Sequence, residues 1–176
     1  MFDGKVYVID TLSTGPEMEL LMEFIRQRID EGMEFEDICK AVDRYREENT
    51  RLLFSLESLR NLAKNGRCSP AVACLAGVLG IRLVGKASVD GVLEPLNKCR
   101  GERKMLDTFY HKMLELGYDG GKVRIHHVFN ARAAATLAGM IHGQYPQADV
   151  DIRPTTALCS FYAEQGGMMV GFERCL

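Results

Sequence analysis

Apolar residues follow two spacings along the chain, and the spacing changes from segment to segment. Alternating or β-branched runs predict strands, whereas apolar residues three or four positions apart predict amphipathic helices. The pattern predicts strands at residues 5–10, 51–55, 81–89, 92–96, 122–129 and 149–153, and helices at residues 16–31, 35–49, 56–64, 69–80, 102–116, 131–142 and 155–162. Because strands alternate with helices from residue 81 onward, we expect an α/β fold, with α+β as the alternative.

The most informative pattern lies within residues 56–104. The predicted helix at 56–64 ends near Gly66, since glycine readily adopts the left-handed conformation found at helix ends. The predicted helix 69–80 starts with Ser-Pro and then carries almost no polar side chain. Such a helix belongs either to the core or to the wall of an apolar cavity, and both interpretations stay open. Asp90–Gly91 predicts a hairpin turn.

Four cations surround Gly101 at the start of the predicted helix 102–116. They are Lys98, Arg100, Arg103 and Lys104. Positive charge at a helix start opposes the helix dipole, so these side chains are either exposed and screened by salt or serve to bind an anion or an acidic partner. An anion-binding patch beside an apolar helix suits a molecule with a charged head and an apolar tail.

Composition narrows the classes of partner. The 176 residues are enough for one sizeable domain or two small lobes. A formal charge of -2 provides no basic field for nucleic acid. No apolar run approaches the roughly 18 residues that a membrane-spanning helix needs, and the start MFDGKVYVID has no export signal. We therefore expect a cytoplasmic protein without a membrane span.

The sequence lacks the common signatures of catalysis. It contains no GxGxxG after a strand, no phosphate-binding loop, no HExxH and no GxSxG. His126 and His127 are neighbours on a strand, point to opposite faces and cannot chelate jointly; we expect one of them to be buried and hydrogen-bonded. We predict no enzyme, no metal site and no cofactor, and six reduced cysteines at positions 39, 68, 74, 99, 159 and 175.

Four segments, in order along the chain, resemble the DegV family of bacterial fatty-acid-binding proteins. VYVIDTLSTG resembles the family's strand and loop of type VIDS, and LFSLESLRNLAKNGRCSPAVACLAGVLGIRL resembles its Leu-x-x-Leu helix, GGRIS turn and apolar helix. DGVLEPLNKCRGERK resembles the hairpin and basic segment. VRIHHVFNARAAATLA resembles the strand that ends in His and its Ala- and Leu-bearing helix. The resemblance covers nearly the whole chain and the C-terminal two-thirds of family members.

The resemblance implies a carrier that holds a long-chain fatty acid in a cleft between lobes and presents it to a fatty acid kinase. The helix Pro70–Gly80 would line the tail channel, with Arg67 and Arg100 near the anionic head. Arg103 and Lys104 would face the partner protein. The implied ligand-binding residues are Arg67, Ser69, Arg100, Ser13, Thr14, Gly166 and Gly167.

Three departures from the family pattern support an alternative. Family members carry a further N-terminal segment, so we expect residues 1–50 to be the remnant of an N-terminal α/β lobe and residues 51–176 to form a mixed-sheet domain with helices packed on it. GGRIS stands here as NGRCS, in which Asn65 still tolerates the left-handed region. His-Thr-Gly-Pro-Gly stands as AEQGG at 163–167, where Glu164 would repel a carboxylate.

The alternative hypothesis is a diverged or truncated domain without a ligand that acts as an interaction or structural module. A homodimer that fills the gap left by the absent segment fits this module. A stable monomer with an accessible cavity fits the carrier.

Overall fold

The structure is a computed structural model and describes residues 4–68 and 80–174. Within these residues two helices and a π-helical turn precede the first strand, and one helix lies between the first and second strands. The second and third strands are consecutive, and the later strands alternate with helices. The strands are β1 (Thr50–Leu56), β2 (Ile81–Ala87), β3 (Leu93–Arg100), β4 (Val123–His127), β5 (Val150–Pro154) and β6 (Met168–Glu173). The helices are α1 (Pro16–Asp30), α2 (Phe35–Arg44), α3 (Arg60–Lys64), α4 (Glu102–Glu115), α5 (Ala131–Gln144) and α6 (Ala157–Ala163), with a π-helical turn at Tyr45–Asn49.

The strands form one mixed sheet in the order β3-β2-β1-β6-β4-β5. The β4–β5 pair is parallel, and the other neighbours run antiparallel. The hairpin between β2 and β3 turns at Asp90–Gly91, and Pro95 lies in the edge strand β3, where a missing backbone donor is tolerated. The fold is therefore a mixed α/β sheet with helices packed on it, as the sequence predicts.

Alternation along the central strand β1 divides the apolar core between the two faces of the sheet. Leu53 faces a large cluster with α4 and α5, whereas Leu52 and Phe54 face a second cluster with α3 and α6. The large cluster includes Val84, Met105, Phe109, Met113, Ile125, Leu137, Ile141, Val170 and Phe172, which are at most 1% exposed. The second cluster comprises Leu52, Phe54, Leu56, Leu59, Leu62, Leu83, Val128, Ala163 and Met169.

Helix α1 crosses the sheet at Gly171 of β6. A Cβ atom at this position would lie 2.6 Å from the backbone nitrogen of Glu17, so only glycine admits the start of α1 at this distance. Polar contacts fix the rest of the helix. The Arg124 guanidinium donates two 2.7 Å hydrogen bonds to the Glu23 carboxylate, and His126 Nε2 lies 2.6 Å from Glu19 Oε2.

The prediction of a strand at residues 5–10 is wrong. This segment carries no strand, and Val6 and Val8 are 71% and 82% exposed. It lies along α2, where Lys5 pairs with Glu36 and the Tyr7 hydroxyl donates to Asp43. A β-branched run forms a strand only beside a partner strand, and none adjoins it among the described residues.

Other differences lie at element boundaries. The predicted helix 56–64 begins only at Arg60, because Leu56 still pairs with Leu83 in the sheet. Strand β3 continues to Arg100, and the apolar run at 168–172 is strand β6. The predicted apolar helix 69–80 lies outside the described residues except for Gly80. The domain boundary at residue 50 stays a prediction.

Candidate functional site

The hydroxyl groups predicted from the loop before α1 both have partners within the protein. Ser13 Oγ donates to the Glu17 carboxylate, which also accepts a 2.8 Å hydrogen bond from Thr50 Oγ1. Burial raises the pKa of Glu17, and the two hydroxyl donors oppose that rise. Thr14 Oγ1 lies 3.2 Å from Cys159 Sγ on α6. The loop 10–15 is therefore anchored both to α1 and to the edge of the second cluster.

Gly166 and Gly167 form a tight loop between α6 and β6, against the end of β4. Gly166 N–H donates to Val128 O at 2.9 Å, and Asn130 Nδ2 donates to Gly166 O at 3.0 Å. Gly166 has φ +85°, and an added Cβ at Gly167 would meet the backbone carbonyl of Ala163. Both positions thus require glycine, and their backbone is fixed rather than free.

Glu164 makes a contact that the sequence did not predict. Its Oε1 accepts a 2.9 Å hydrogen bond from the backbone N–H of Asn61 in the first turn of α3. Asn61 Nδ2 in turn donates to Phe161 O at 2.7 Å. The carboxylate therefore holds α6 against α3, and the N–H group offsets part of the negative charge expected to repel an anionic head.

A chain of ion pairs adjoins the glycine loop. Arg82 on β2 pairs with Glu57, which follows β1, and lies 3.8 Å from Glu102 at the start of α4. Arg132 Nη2 lies 3.1 Å from the other Glu102 oxygen. The Glu57 carboxylate occupies the space that a side chain at Gly166 would need. These ion pairs were not predicted from the sequence; their signal was Arg82, which lies two positions before buried Val84 and therefore on the same inward face of β2.

The predicted cations lie at two separate places. Arg67 follows α3 in a turn closed by its N–H, which donates to Leu62 O at 2.8 Å, after Gly66 at φ +64°. Arg100 ends β3, and Arg103 and Lys104 lie in the first turn of α4. All four side chains are exposed, and none forms an ion pair with another described residue. Ser69 lies outside the described residues.

The two histidines point to opposite faces, as predicted. His126 contacts Glu19 of α1, whereas His127 Nδ1 accepts a 3.2 Å hydrogen bond from the Asn130 N–H before α5. Burial and the nearby His126 lower the pKa of His127, so its ring is neutral at pH 7. The described part of the chain holds no cluster of three His, Cys, Asp or Glu residues suited to a metal ion.

Four of the six cysteines are described, and all four are free thiols: Cys39, Cys68, Cys99 and Cys159. Cys68 and Cys159 pack against the second cluster. A groove of about 630 Å³ runs along α1, lined mostly by charged residues together with Met22 and Gln27. It contains none of the predicted site residues. Within residues 4–68 and 80–174, no helix is long and apolar enough to cross a membrane.

Comparison with known proteins connects this geometry to a family. A family model described as "Uncharacterised protein, DegV family" matches residues 1–174. A DegV domain-containing protein of Streptococcus pneumoniae, spr0652, is 44% identical over 171 residues, which are 97% of this chain and 60% of that protein.

Two solved structures are also similar. A DegV family protein from Eubacterium eligens loaded with heptadecanoic acid is 47% identical, with a TM-score of 0.94 over 97% of this chain and 62% of that chain. The Streptococcus pneumoniae Fatty Acid Kinase (Fak) B3 protein loaded with linoleic acid is 43% identical, with a TM-score of 0.95 over 98% and 61%. The chain thus spans about three-fifths of these relatives' length and corresponds to their C-terminal part. It belongs to the DegV family.

Proposed function

We propose that this chain forms part of a carrier for a long-chain fatty acid. The observation that carries the proposal is its similarity, at 47% and 43% identity, to two structures that each hold a fatty acid. The second cluster supplies an apolar surface against which an alkyl chain can pack. Two of the partly buried residues packed against it adjoin predicted head-group residues: Cys159 Sγ lies 3.2 Å from Thr14 Oγ1, and Cys68 directly follows Arg67.

In this proposal the acyl chain lies along the second cluster, and the carboxylate lies near the loops 10–15 and 164–167. Ser13, Thr14, Gly166 and Gly167 contribute from these loops. Arg67 and Arg100 favour the negative head electrostatically, and Ser69 contributes a hydroxyl donor. Because Ser13 Oγ already donates to Glu17, it binds a ligand only by exchanging that partner.

We further propose that the protein is not itself a catalyst and that it presents the bound acid to a fatty acid kinase in the cytoplasm. Arg103 and Lys104 are exposed, adjacent and without an ion-pair partner among the described residues, which suits an acidic partner surface. The name of the Streptococcus pneumoniae relative supports a kinase as the partner class.

A chain-length series tests binding. Delipidated protein is titrated with saturated fatty acids of increasing length, ending at heptadecanoic acid, and binding is followed by native mass spectrometry and calorimetry. Each buried CH2 contributes about 0.8 kcal/mol, so Kd should fall about fourfold per carbon until the cleft is full. A lack of binding, or affinity that does not depend on length, would refute the carrier.

The alternative module without a ligand is favoured by one observation: the predicted head-group hydroxyl of Ser13 already donates a hydrogen bond to Glu17 within the chain. It predicts a homodimer. Size-exclusion chromatography with light scattering separates the two, because the carrier predicts a monomer that retains added fatty acid.

A further inference from the structure

The geometry points to Arg82 as a positioning residue that holds the Gly166–Gly167 loop and the start of α4 in one fixed arrangement. The inference deepens the proposed function and rests on it where it concerns the fatty acid. The link between the Gly166–Gly167 loop and α4 does not depend on a bound ligand. The ion pairs of Arg82 among the described residues are with Glu57 on one side and Glu102 on the other, and it acts through these two carboxylates.

Arg82 is placed where a charge is costly unless it is paired. Its side chain is only 16% exposed, and it lies on the same face of β2 as Val84, which is fully buried. Two carboxylates from different elements flank its guanidinium group. Atom Nη1 is inaccessible to solvent and has no hydrogen-bond partner among the described residues.

On the loop side, Glu57 is held between Arg82 and Gly166. Its carboxylate lies directly over the Gly166 Cα, in space that is open only because residue 166 has no side chain. The loop backbone is fixed from its other side by Val128 and Asn130. A shift of Glu57 would therefore change the packing against the two glycines. An intact Arg82–Glu57 pair keeps the carboxylate in place.

On the helix side, Glu102 is the first residue of α4 and directly precedes Arg103 and Lys104. One of its oxygens faces Arg82, and the other accepts from Arg132 at the start of α5. Two arginines and two glutamates alternate, so their charges cancel within the chain. This arrangement joins the proposed head-group loop to the proposed partner surface through one largely buried cation, Arg82.

Replacing Arg82 should loosen both ends at once, because Glu57 and Glu102 would face each other without a cation between them. Lys86 offers a matched control: it lies on the same strand and face as Arg82 and pairs with Glu94 at 3.4 Å, away from the loop. In the full chain without ligand, Arg82→Met should raise hydrogen exchange in peptides covering 164–168 and 101–105. Lys86→Met should raise neither, and Arg82→Lys should restore part of the protection. Equal exchange in Arg82→Met and Lys86→Met would overturn the inference.

A second measurement separates positioning from general stability. Heptadecanoic acid and heptadecanol share the alkyl chain and differ in the charged head. Arg82→Met should weaken binding of the acid by about tenfold, the effect of one hydrogen bond to a charged group, and leave the alcohol within about twofold. Equal losses for both ligands would overturn a head-group role while leaving the carrier intact. If the wild-type chain binds neither ligand, the carrier proposal fails, and the exchange measurement still decides whether Arg82 links the two segments.

Discussion

Glu17 and Gly171 lie where α1 meets the sheet. The role of Glu17 depends on its hydrogen bonds, and that of Gly171 depends on its missing side chain. Glu17 is 6% exposed and keeps two hydroxyl donors, Ser13 and Thr50. Gly171 lets the backbone of Pro16 and Glu17 approach within the space of a missing methyl group. Neither could be recognised from the sequence, because a glutamate in the first turn of a helix is ordinarily explained by the helix dipole, and a glycine within MMVGF by a bulge.

Gly171→Ala should lower the free energy of unfolding by about 1 to 3 kcal/mol, the usual cost of overpacking a close contact. The clash is with backbone atoms of α1 at 2.6 Å, which cannot rotate away. Gly139→Ala is the control: a Cβ at this position in α5 meets nothing within 4 Å, and alanine favours a helix by about 0.5 to 1 kcal/mol. Urea denaturation of both variants measures the two effects. Similar stabilities for the two would contradict the close approach of α1.

Glu17→Gln should change how stability depends on pH. Burial raises the pKa of Glu17 above its ordinary value of 4.5, so the folded chain holds this proton more tightly than the unfolded chain. The stability that the proton provides is fully present below pH 4.5 and is lost as pH rises through the folded-state pKa. The neutral amide can still accept from Ser13 and Thr50. Relative to wild type, the variant should gain stability between pH 4.5 and 7, measured by urea titrations across that range; a difference that is constant with pH would refute this role.

At the scale of elements, the sequence predicted most helices and strands but not what holds them together. Periodicity found α1, α4, α5, β1 and β4 because each has a clear apolar face. It failed at residues 5–10, where strand formation depends on a partner strand. It also missed the polar contacts of α1, since ion pairs join residues more than a hundred positions apart. The Arg82 network escaped prediction because apolar periodicity does not show which charged side chains from separate elements will pair, even when they lie only 20 to 30 positions apart.

Arg124→Met should loosen α1 from the sheet. The Arg124 side chain is 6% exposed and bridges Glu23 and Asp149. Its removal leaves Asp149 without this partner and leaves Glu23 with only Lys122, whose Nζ lies 3.6 Å from the Glu23 carboxylate. The cost should be about 1 to 3 kcal/mol, below the full value for a buried pair because Glu23 and Asp149 keep 30% and 58% exposure.

The double variant Arg124→Met with Glu23→Met tests whether the loss comes from the unpaired charge. It should recover much of the stability, because methionines of similar length pack where the pair stood. Thermal and urea unfolding of the single and double variants complete the cycle. Additive losses would show that Arg124 acts independently of Glu23.

At the scale of the whole molecule, the sheet has a protected centre and an exposed N-terminal segment. β1 pairs on both sides, whereas the amides of residues 5–9 have no backbone partner among the described residues. The sequence predicted two segments of the proposed site, the glycine loop and the basic first turn of α4. Where these two segments lie relative to each other depends on the order of the strands in the sheet. That order is not encoded in any local pattern.

Hydrogen exchange by mass spectrometry should therefore find residues 5–9 exchanging within seconds and β1 exchanging most slowly. If the protein remains a monomer, residues 5–9 should exchange at the same rate at low and at high protein concentration. Slow exchange at 5–9 that appears only at high concentration would instead indicate that this segment pairs with a second copy, as the homodimer hypothesis requires.

The position of β6 between β1 and β4 has a consequence for synthesis. The β1–β2–β3 sheet and the β4–β5 pair have no common border until residues 168–173 insert between them. During translation, these two halves therefore keep open edges until β6 has emerged from the ribosome. Contacts of such long sequence separation form late, and exposed strand edges attract other chains in the meantime. Chaperones that shield nascent strands should matter most for this protein in the interval before β6 emerges.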